Sequence, residues 1–238
     1  MPKILIIVPA YNEEKSIVKT IKGLDKYNKK AKYKVDYLVI NDESKDDTLN
    51  VLIKNKIPHL NLVFNLGIGG AVQTGYKYAK ENNYDIAIQF DGDGQHDASY
   101  LNRLINPLIN EKFDLIIGSR FIERNSSDFK SSFSRRIGIK VISFFIKIFT
   151  GKEVKDVTSG FRAANKRTLT FFANCYPKEY PEPESLVRIL KYGYKVKEVP
   201  VSMNKREEGK SSIFGFKSIS YMILVILAIM INSKRRND

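Results

Sequence analysis

The N-terminal stretch Ile4-Leu5-Ile6-Ile7-Val8-Pro9-Ala10-Tyr11-Asn12-Glu13-Glu14 decides the fold class, because it joins an aliphatic run directly to a polar cluster. An aliphatic run that ends at a proline is typical of a short strand buried on both faces. Further apolar runs bounded by turn residues recur at Tyr37–Ile40, Leu60–Phe64, Ile86–Phe90 and Leu115–Gly118. Stretches of helical character separate most of them. This alternation predicts an α/β fold with a mostly parallel sheet covered by helices.

Polar clusters follow several of the predicted strands. They occupy Pro9–Glu14, Asn41–Asp47 and Asp91–Asp97. Ligands of open α/β sheets bind outside the carboxyl ends of the strands, so we expect the clusters to converge on one cleft. Asn12 is predicted to cap a helix that runs to about Leu24, and another helix is predicted to begin near Asp46 or Asp47.

The charge balance is strongly basic, with 40 Lys and Arg against 26 Asp and Glu and a formal net charge of +14. Such a surface attracts anionic partners, of which nucleic acid and an acidic membrane face are the obvious candidates. The basic residues lie among long aliphatic runs, and no stretch resembles an RNA- or DNA-binding motif, which favours the membrane. Cys175 is the one cysteine, so no intrachain disulfide can form.

Two segments of the second half combine apolar and basic residues. Phe133–Thr150 mixes Arg and Lys with aliphatic and aromatic residues and contains no acidic residue. Ser218–Ile231 is uncharged and has basic residues on both flanks. At the helical rise the second run extends roughly 21 Å, which is short of the roughly 30 Å hydrocarbon core of a bilayer. Both segments are therefore predicted to form helices that lie at a lipid surface.

The cluster Asp91-Gly92-Asp93-Gly94-Gln95-His96-Asp97 contains two aspartates separated by one residue. Directly after a strand, both carboxylates can point into the same opening, where a hard divalent cation would bridge them to phosphate oxygens. The cation would neutralise the charge that develops on a departing nucleoside diphosphate. A turn rich in Asp and Gly that binds no metal is the alternative explanation. The cluster alone does not distinguish a metal site from such a turn, and the other motifs of the chain decide between them.

The order of motifs along the chain resembles glycosyltransferase family 2, and specifically the polyprenyl-phosphate glycosyltransferases of the dolichol-phosphate mannose synthase type. The resemblance implies a GT-A fold, with a mixed, mostly parallel sheet and amphipathic membrane-facing helices in the second half. It also implies a catalytic domain over 1–212 that includes an interface helix at about 133–150, and a membrane-associating helix over 213–238. The motifs that carry it are Val8–Glu14, Val39–Thr48, Asn65–Ala71, Asp91–Asp97, Gly118–Phe121, Thr158–Arg162 and Val199–Val201.

On the donor side, the resemblance assigns binding of the nucleotide-sugar and metal to residues in the strand-end motifs. Asp91, Asp93 and Gln95 match the metal-site residues of the family. The glycines around Gly69 are expected to permit a tight turn from strand to helix beside the donor. Arg206 and Lys210 resemble the loop that closes over the diphosphate. The residues implied to hold the nucleotide-sugar are thus Pro9, Tyr11, Glu13, Asp42, Gly69, Asp91, Arg206 and Lys210.

On the acceptor side, Arg120 matches an arginine that meets the acceptor phosphate, and Arg135 or Arg136 matches a second one. A solvated or lipid-headgroup position is an equal alternative for the latter two. Ser159, in the motif Thr158–Arg162, is assigned to the acceptor phosphate as well. Asp156 is expected to organise this side, and the residues expected to be catalytic are Asp93, Asp156 and Arg120. Glu182 and Glu184 are further carboxylates near the expected cleft, although helix capping explains them equally well.

Together, the residues and the resemblance predict transfer of one sugar from a UDP- or GDP-linked donor to an undecaprenyl or dolichyl phosphate. The resemblance implies that the enzyme requires Mg²⁺ or Mn²⁺ and inverts the anomeric centre, and we expect it to act at the cytoplasmic face of the cell membrane. A small membrane-protein partner or self-association is predicted through Ser218–Ile231. The alternatives are extension of a cell-surface polysaccharide, and a basic membrane- or nucleic-acid-binding protein without catalysis.

Overall fold

The computed structural model describes residues 1–122, 133–204 and 216–234. Strands and helices alternate along these residues. The strands are β1 (Ile4–Ala10), β2 (Asp36–Asn41), β3 (His59–Asn61), β4 (Ile86–Gln89), β5 (Leu115–Ser119), β6 (Arg162–Asn165) and β7 (Val196–Pro200). The α-helices are α1 (Ile17–Lys30), α2 (Thr48–Lys54), α3 (Gly67–Glu81), α4 (Leu101–Asn110), α5 (Phe133–Thr150), α6 (Lys166–Asn174), α7 (Pro181–Lys191) and α8 (Phe216–Lys234).

The described strands form one sheet in the order β3-β2-β1-β4-β6-β5-β7. Every neighbouring pair is parallel except the two that involve β6, which runs antiparallel to both β4 and β5. The predicted mixed, mostly parallel sheet is confirmed. Because β6 is reversed, its first residue, Arg162, lies opposite Gln89 of β4 and Ile117 of β5. The segment that leads into β6 therefore reaches the same sheet edge as the carboxyl ends of the parallel strands.

The hydrophobic core lies on both faces of this sheet. Successive side chains of β1 alternate between the faces, as the pleat of a strand requires. Leu5 and Ile7 join one apolar cluster, and Ile4, Ile6 and Val8 join the other. Burial on both faces explains why the strand reads as a continuous aliphatic run.

The predicted start of the first helix is wrong. Asn12 has a φ of 58°, which a helical residue does not adopt, and α1 begins only at Ile17 after the N-cap residue Ser16. The amide of Asn12 instead donates to Ser44 Oγ at 3.0 Å, and its Oδ1 accepts from the amide of Lys45 at 2.8 Å. Asn12 thus connects the loop after β1 to the loop after β2.

The third strand is also shorter than predicted. Only His59–Asn61 pair with β2, and Val63 and Phe64 lie beyond the strand with side chains 76% and 72% exposed. The second helix begins as expected, with Asp47 at its N-cap position.

Helices α5 and α8 pack against each other at the surface. A Cβ placed on Gly138 of α5 would lie 2.7 Å from Met222 Sδ of α8, so the helices meet closely there. Both helices bury one apolar stripe and expose another. The exposed apolar residues are Ile137, Phe144, Ile148, Ile223, Leu224, Leu227 and Ile231. Among the described residues, no helix has both the length and the apolarity that crossing a membrane requires.

Candidate active site

A cleft of about 500 Å³ opens at the carboxyl ends of β1, β2 and β4. The motif residues that follow these strands converge here, as the sequence predicts. Its walls are formed by Pro9, Ala10, Tyr11, Glu13, Asp42, Asn65, Gly67, Ile68, Ala71, Asp91, Gly92 and Asp93.

The loop after β1 forms one wall of the cleft and is held by hydrogen bonds. The amide of Glu13 donates to Thr48 Oγ1 at 2.9 Å, and Ser16 Oγ donates to Glu13 Oε2 at 2.5 Å. Tyr11 leaves 48% of its surface exposed. An exposed aromatic ring at the mouth of a cleft provides a surface on which a planar nucleotide base can stack.

Asp42 follows β2 and lies at the base of the neighbouring wall. It is 3% exposed, and its Oδ1 accepts from the amide of Leu66 at 2.7 Å. Burial raises the pKa of the Asp42 carboxyl, while the amides of Leu66 and Gly67 act in the opposite direction. Asn65 Nδ2 donates to the backbone oxygen of Asp42 at 2.9 Å. Asp42 thus fixes the start of α3 relative to β2.

Asp91 and Asp93 line the cleft on either side of Gly92. Thr20 Oγ1 donates to the Gly92 oxygen at 3.1 Å, and the amide of Gln95 donates to Asp93 Oδ1 at 3.0 Å. Gln95 is not among the residues that line the cleft. The structure therefore gives the Gln95 backbone a role in orienting Asp93, and the part of Gln95 as a third metal ligand stays a prediction.

The Asp91 carboxylate is surrounded by polar side chains. His96 Nε2 lies 3.1 Å from its Oδ2, and Gln89 Nε2 donates to its Oδ1 at 3.4 Å. Burial acts to raise the pKa of Asp91, but His96 and then Gln89 outweigh it, and the net shift is downward. The carboxylate is therefore held in the charged form that binds a cation.

The donor atoms at Asp91 and Asp93 suit Mg²⁺ or Mn²⁺. Within the described ranges, no three His, Cys, Asp or Glu side chains are grouped as in a site made of protein ligands alone. Mg²⁺ is commonly bound by one or two carboxylates, with substrate phosphates and water completing its octahedron. Two carboxylates in an open cleft fit that mode of binding.

Comparison with known proteins identifies the family. Residues 5–170 match the model described as glycosyl transferase family 2. The chain belongs to glycosyltransferase family 2. It is 31% identical over 247 residues to a Methanococcus voltae protein named UDP-N-acetylglucosamine–dolichyl-phosphate N-acetylglucosaminyltransferase. The aligned region covers 94% of this chain and 95% of that protein. It is 28% identical over 221 residues to the undecaprenyl-phosphate mannosyltransferase of Micrococcus luteus. This alignment covers 90% of this chain and 88% of that protein.

A solved structure shares the fold of this glycosyltransferase. It is the glucosyl-3-phosphoglycerate synthase of Mycobacterium tuberculosis in complex with Mn²⁺, UDP-glucose and phosphoglyceric acid. The two superpose with a TM-score of 0.70 at 17% identity, covering 100% of this chain and 81% of that chain. The predicted family, enzyme class and GT-A-like fold are confirmed.

In this family 2 chain, Gly69 has a different environment from the one predicted. It lies within α3, and it is not among the residues that line the cleft. A Cβ at Gly69 would lie 2.3 Å from the Pro177 oxygen, so the glycine permits close packing against that backbone. The turn into α3 is made by Gly67, whose φ of 73° favours glycine, and Gly67 does line the cleft.

Arg120 and Asp156, both predicted to be catalytic, form a buried ion pair. Arg120 Nε and one terminal nitrogen each lie 2.7 Å from a different oxygen of Asp156, and the Arg120 amide donates to Asp156 Oδ2 at 3.0 Å. Their side chains are 5% and 0% exposed. In this arrangement two of the guanidinium nitrogens are directed at Asp156, and the contact of Arg120 with an acceptor phosphate stays a prediction.

The remaining acceptor-side residues lie in different surroundings. Ser159 is buried and its Oγ donates to the Gly118 oxygen at 2.7 Å, so the fold uses this hydroxyl, and its contact with an acceptor phosphate stays a prediction. Arg136 has an exposed side chain on α5. The side chain of Arg135 and the segment with Arg206 and Lys210 lie outside the part that the structure describes, as does the boundary between 1–212 and 213–238.

A buried polar network around Gln89 was not predicted from the sequence. Gln89 Nε2 lies 3.4 Å from both Asp91 Oδ1 and Glu182 Oε1. Arg162 is 1% exposed and donates to the backbone oxygens of Ser159, Val157 and Glu182. Burial raises the pKa of Glu182 and Arg162 acts to lower it, with a net upward shift. The sequence signal for this network was a glutamine and an arginine at the ends of otherwise apolar strands.

Proposed function

We propose that this enzyme transfers one sugar from a nucleoside-diphosphate sugar to a polyprenyl phosphate at the cytoplasmic face of a membrane. The observation that carries the proposal is that Asp91 and Asp93 open into the same cleft as Tyr11 and Asp42. The names of relatives that cover nearly the whole chain support a polyprenyl phosphate as the acceptor.

The donor would bind along the strand ends. Tyr11 would offer a ring for the base, and Asp42, which lines the same cleft, would contact the ribose. Asp91 and Asp93 would hold Mg²⁺ or Mn²⁺, which stabilises the negative charge on the leaving diphosphate when bound. In the reaction an acceptor phosphate oxygen forms a bond to the anomeric carbon while the bond from that carbon to the diphosphate breaks. The phosphate is already anionic near neutral pH, so no residue has to remove a proton from it.

The acceptor side would be built from the segment between Asp156 and Arg162. The ion pair with Arg120 joins this segment to the end of β5, and the hydrogen bonds of Arg162 join it to α7. We propose that Arg120 and Asp156 keep the segment in place beside the donor and that Arg136 contributes positive charge for phosphate at the membrane surface. Phosphate oxygens and guanidinium groups form strong charge-assisted hydrogen bonds.

The lipid would be reached through the exposed stripe of α5 and α8. Ile137, Phe144 and Ile148 are exposed on α5, and the exposed cations Arg136, Lys140 and Lys147 lie on the same helix. An apolar stripe with basic residues suits the headgroup region of an anionic membrane. A small membrane-protein partner or self-association through Ser218–Ile231 remains a prediction.

The test is a transfer assay with the purified full chain. UDP-N-acetylglucosamine, UDP-glucose and GDP-mannose are each supplied with undecaprenyl or dolichyl phosphate and with Mg²⁺ or Mn²⁺. We expect a labelled lipid product with one donor, at least 100-fold less product with Asp93→Asn, and none with EDTA. The polyprenyl alcohol without phosphate is the matched control acceptor. Product on that alcohol, or on an oligosaccharide but not on the lipid phosphate, would refute the proposal.

A further inference from the structure

The imidazole ring of His96 lies beside Asp91 in a closely packed environment. His96 is 6% exposed, and its ring is enclosed by two aromatic rings. The Phe161 ring stacks on it at 4.8 Å between centroids, and the Phe90 ring meets it edge-on at 5.3 Å. Met203 pairs with His96 through an isolated backbone bridge. The ring therefore cannot turn without displacing its neighbours.

The two ring nitrogens differ in their contacts. Nε2 lies 3.1 Å from Asp91 Oδ2, whereas Nδ1 is buried and has no hydrogen-bond partner among the described residues. A buried nitrogen without an acceptor is less costly as a bare lone pair than as an unsatisfied N–H group. This favours the tautomer in which Nε2 carries the hydrogen and donates it to Asp91.

We infer that His96 is a positioning residue that fixes the orientation of the Asp91 carboxylate for a divalent cation. The inference rests on the proposed function, since it assumes that Asp91 and Asp93 hold the metal. His96 engages Oδ2 and Gln89 lies near Oδ1, so both oxygens are restrained while the Asp91 side chain still lines the cleft. Groups that hydrogen-bond to a metal ligand typically change metal affinity by about 10- to 100-fold when removed.

The test separates the hydrogen bond from the packing of the ring. His96→Phe retains an aromatic ring between Phe90 and Phe161 but removes the donor. His96→Gln retains an amide N–H that can reach the position of Nε2. Mn²⁺ is titrated calorimetrically into the full chain saturated with UDP and, separately, with GDP, and the melting temperature of each variant is recorded.

We expect His96→Phe to weaken Mn²⁺ binding by about 10- to 100-fold and His96→Gln to restore most of the affinity. His59→Gln is the matched control, because His59 lies on β3 with its Nδ1 2.7 Å from the Ile57 oxygen and does not line the cleft. If His96→Phe does not fold, weaker Mn²⁺ binding in a folded His96→Asn variant, whose shorter amide does not reach Asp91, gives the same support.

Wild-type affinity in the folded Phe or Asn variant overturns the inference and leaves the proposed function standing. Absence of Mn²⁺ binding to the wild type overturns both. The titration requires no sugar transfer, so a chain whose Mn²⁺ affinity depends on His96 but which transfers no sugar supports the inference and contradicts the proposed function alone.

Discussion

Gly160 sets the space that is available beside the Asp91 carboxylate. A Cβ at this position would lie 2.8 Å from Gln89 Nε2 and 3.1 Å from Asp91 Oδ2. Few real Cβ atoms lie as close to a neighbour as the 3.1 Å to Asp91, and the 2.8 Å to Gln89 requires one of the two side chains to move. Because Gln89 is itself held between Asp91 and Glu182, a methyl group here shifts the carboxylate that we propose to bind the metal.

We therefore expect Gly160→Ala to lower kcat/KM by at least 10-fold while the chain remains folded, since displacing a reacting geometry by a fraction of an ångström is costly. Steady-state kinetics and Mn²⁺ titration check both effects. Gly23→Ala is the matched control: Gly23 lies within α1 with nothing within 4 Å of an added Cβ. It should keep full activity and gain about 0.5–1 kcal/mol of stability. Equal activity in the two variants would contradict this role of Gly160.

Single residues differ in how well the sequence predicts them. Tyr11, Asp42, Asp91 and Asp93 lie in the cleft because they belong to the loops that follow β1, β2 and β4, and strand ends can be read from apolar runs. Ser159 was assigned to an acceptor phosphate by resemblance, and the hydrogen bond from its hydroxyl to the Gly118 oxygen was not predicted. Contacts between residues distant in the chain decide such cases, and no local pattern contains them.

At the scale of elements, the Arg120–Asp156 pair joins β5 to the segment before β6. Removing one partner of a buried ion pair leaves the other charge without compensation, at a cost of about 3–5 kcal/mol. We expect Asp156→Asn to lower the free energy of unfolding by about 3 kcal/mol, as measured by urea denaturation. Arg120→Leu combined with Asp156→Leu should cost less than the sum of the two single changes.

The exposed pair Lys147–Glu153 provides the matched control for that prediction. Its atoms approach to 2.9 Å, but the two side chains are 57% and 56% exposed. Water screens such an exposed ion pair, so it contributes little, and Lys147→Met should change stability far less than Asp156→Asn does. A loss for Asp156→Asn no greater than this one would show that the buried pair does not join the two elements.

Elements are predictable where they are long or strongly apolar. The apolar runs predict β1, β2, β4 and β5, and the interface helix predicted at about 133–150 coincides with α5. Strand β6 escaped prediction because its sequence, Arg-Ala-Ala-Asn, contains no β-branched or aromatic residue. It becomes a strand because β4 and β5 pair with it on both sides. Tertiary pairing here overrides local preference.

For the whole molecule, the +14 charge and the exposed stripe of α5 and α8 predict binding to anionic vesicles. Charge attraction between exposed groups weakens as salt shortens the Debye length to about 3 Å at 1 M. Co-sedimentation with vesicles containing phosphatidylglycerol should therefore fall as NaCl rises. Phe144→Ser combined with Ile148→Ser should weaken binding more than about 10-fold, because a buried apolar side chain contributes about 1.5–3 kcal/mol.

Ile53→Ser is the control for the vesicle experiment, since Ile53 is 57% exposed but lies on α2. Its vesicle binding should equal that of the unmodified chain. Equal losses in the two variants would mean that general surface hydrophobicity, and not the α5 stripe, accounts for the binding.

The reversed strand β6 has a consequence for how the chain is made. β4 lies between β1 and β6, yet β6 is synthesised long after β4 and the cleft residues have left the ribosome. Until residues 162–165 emerge, one edge of β4 in the nascent chain has no partner, and open strand edges promote aggregation. A fragment that ends before Arg162 would therefore contain the nucleotide-binding residues and still be a poor candidate for a soluble, independently folding domain.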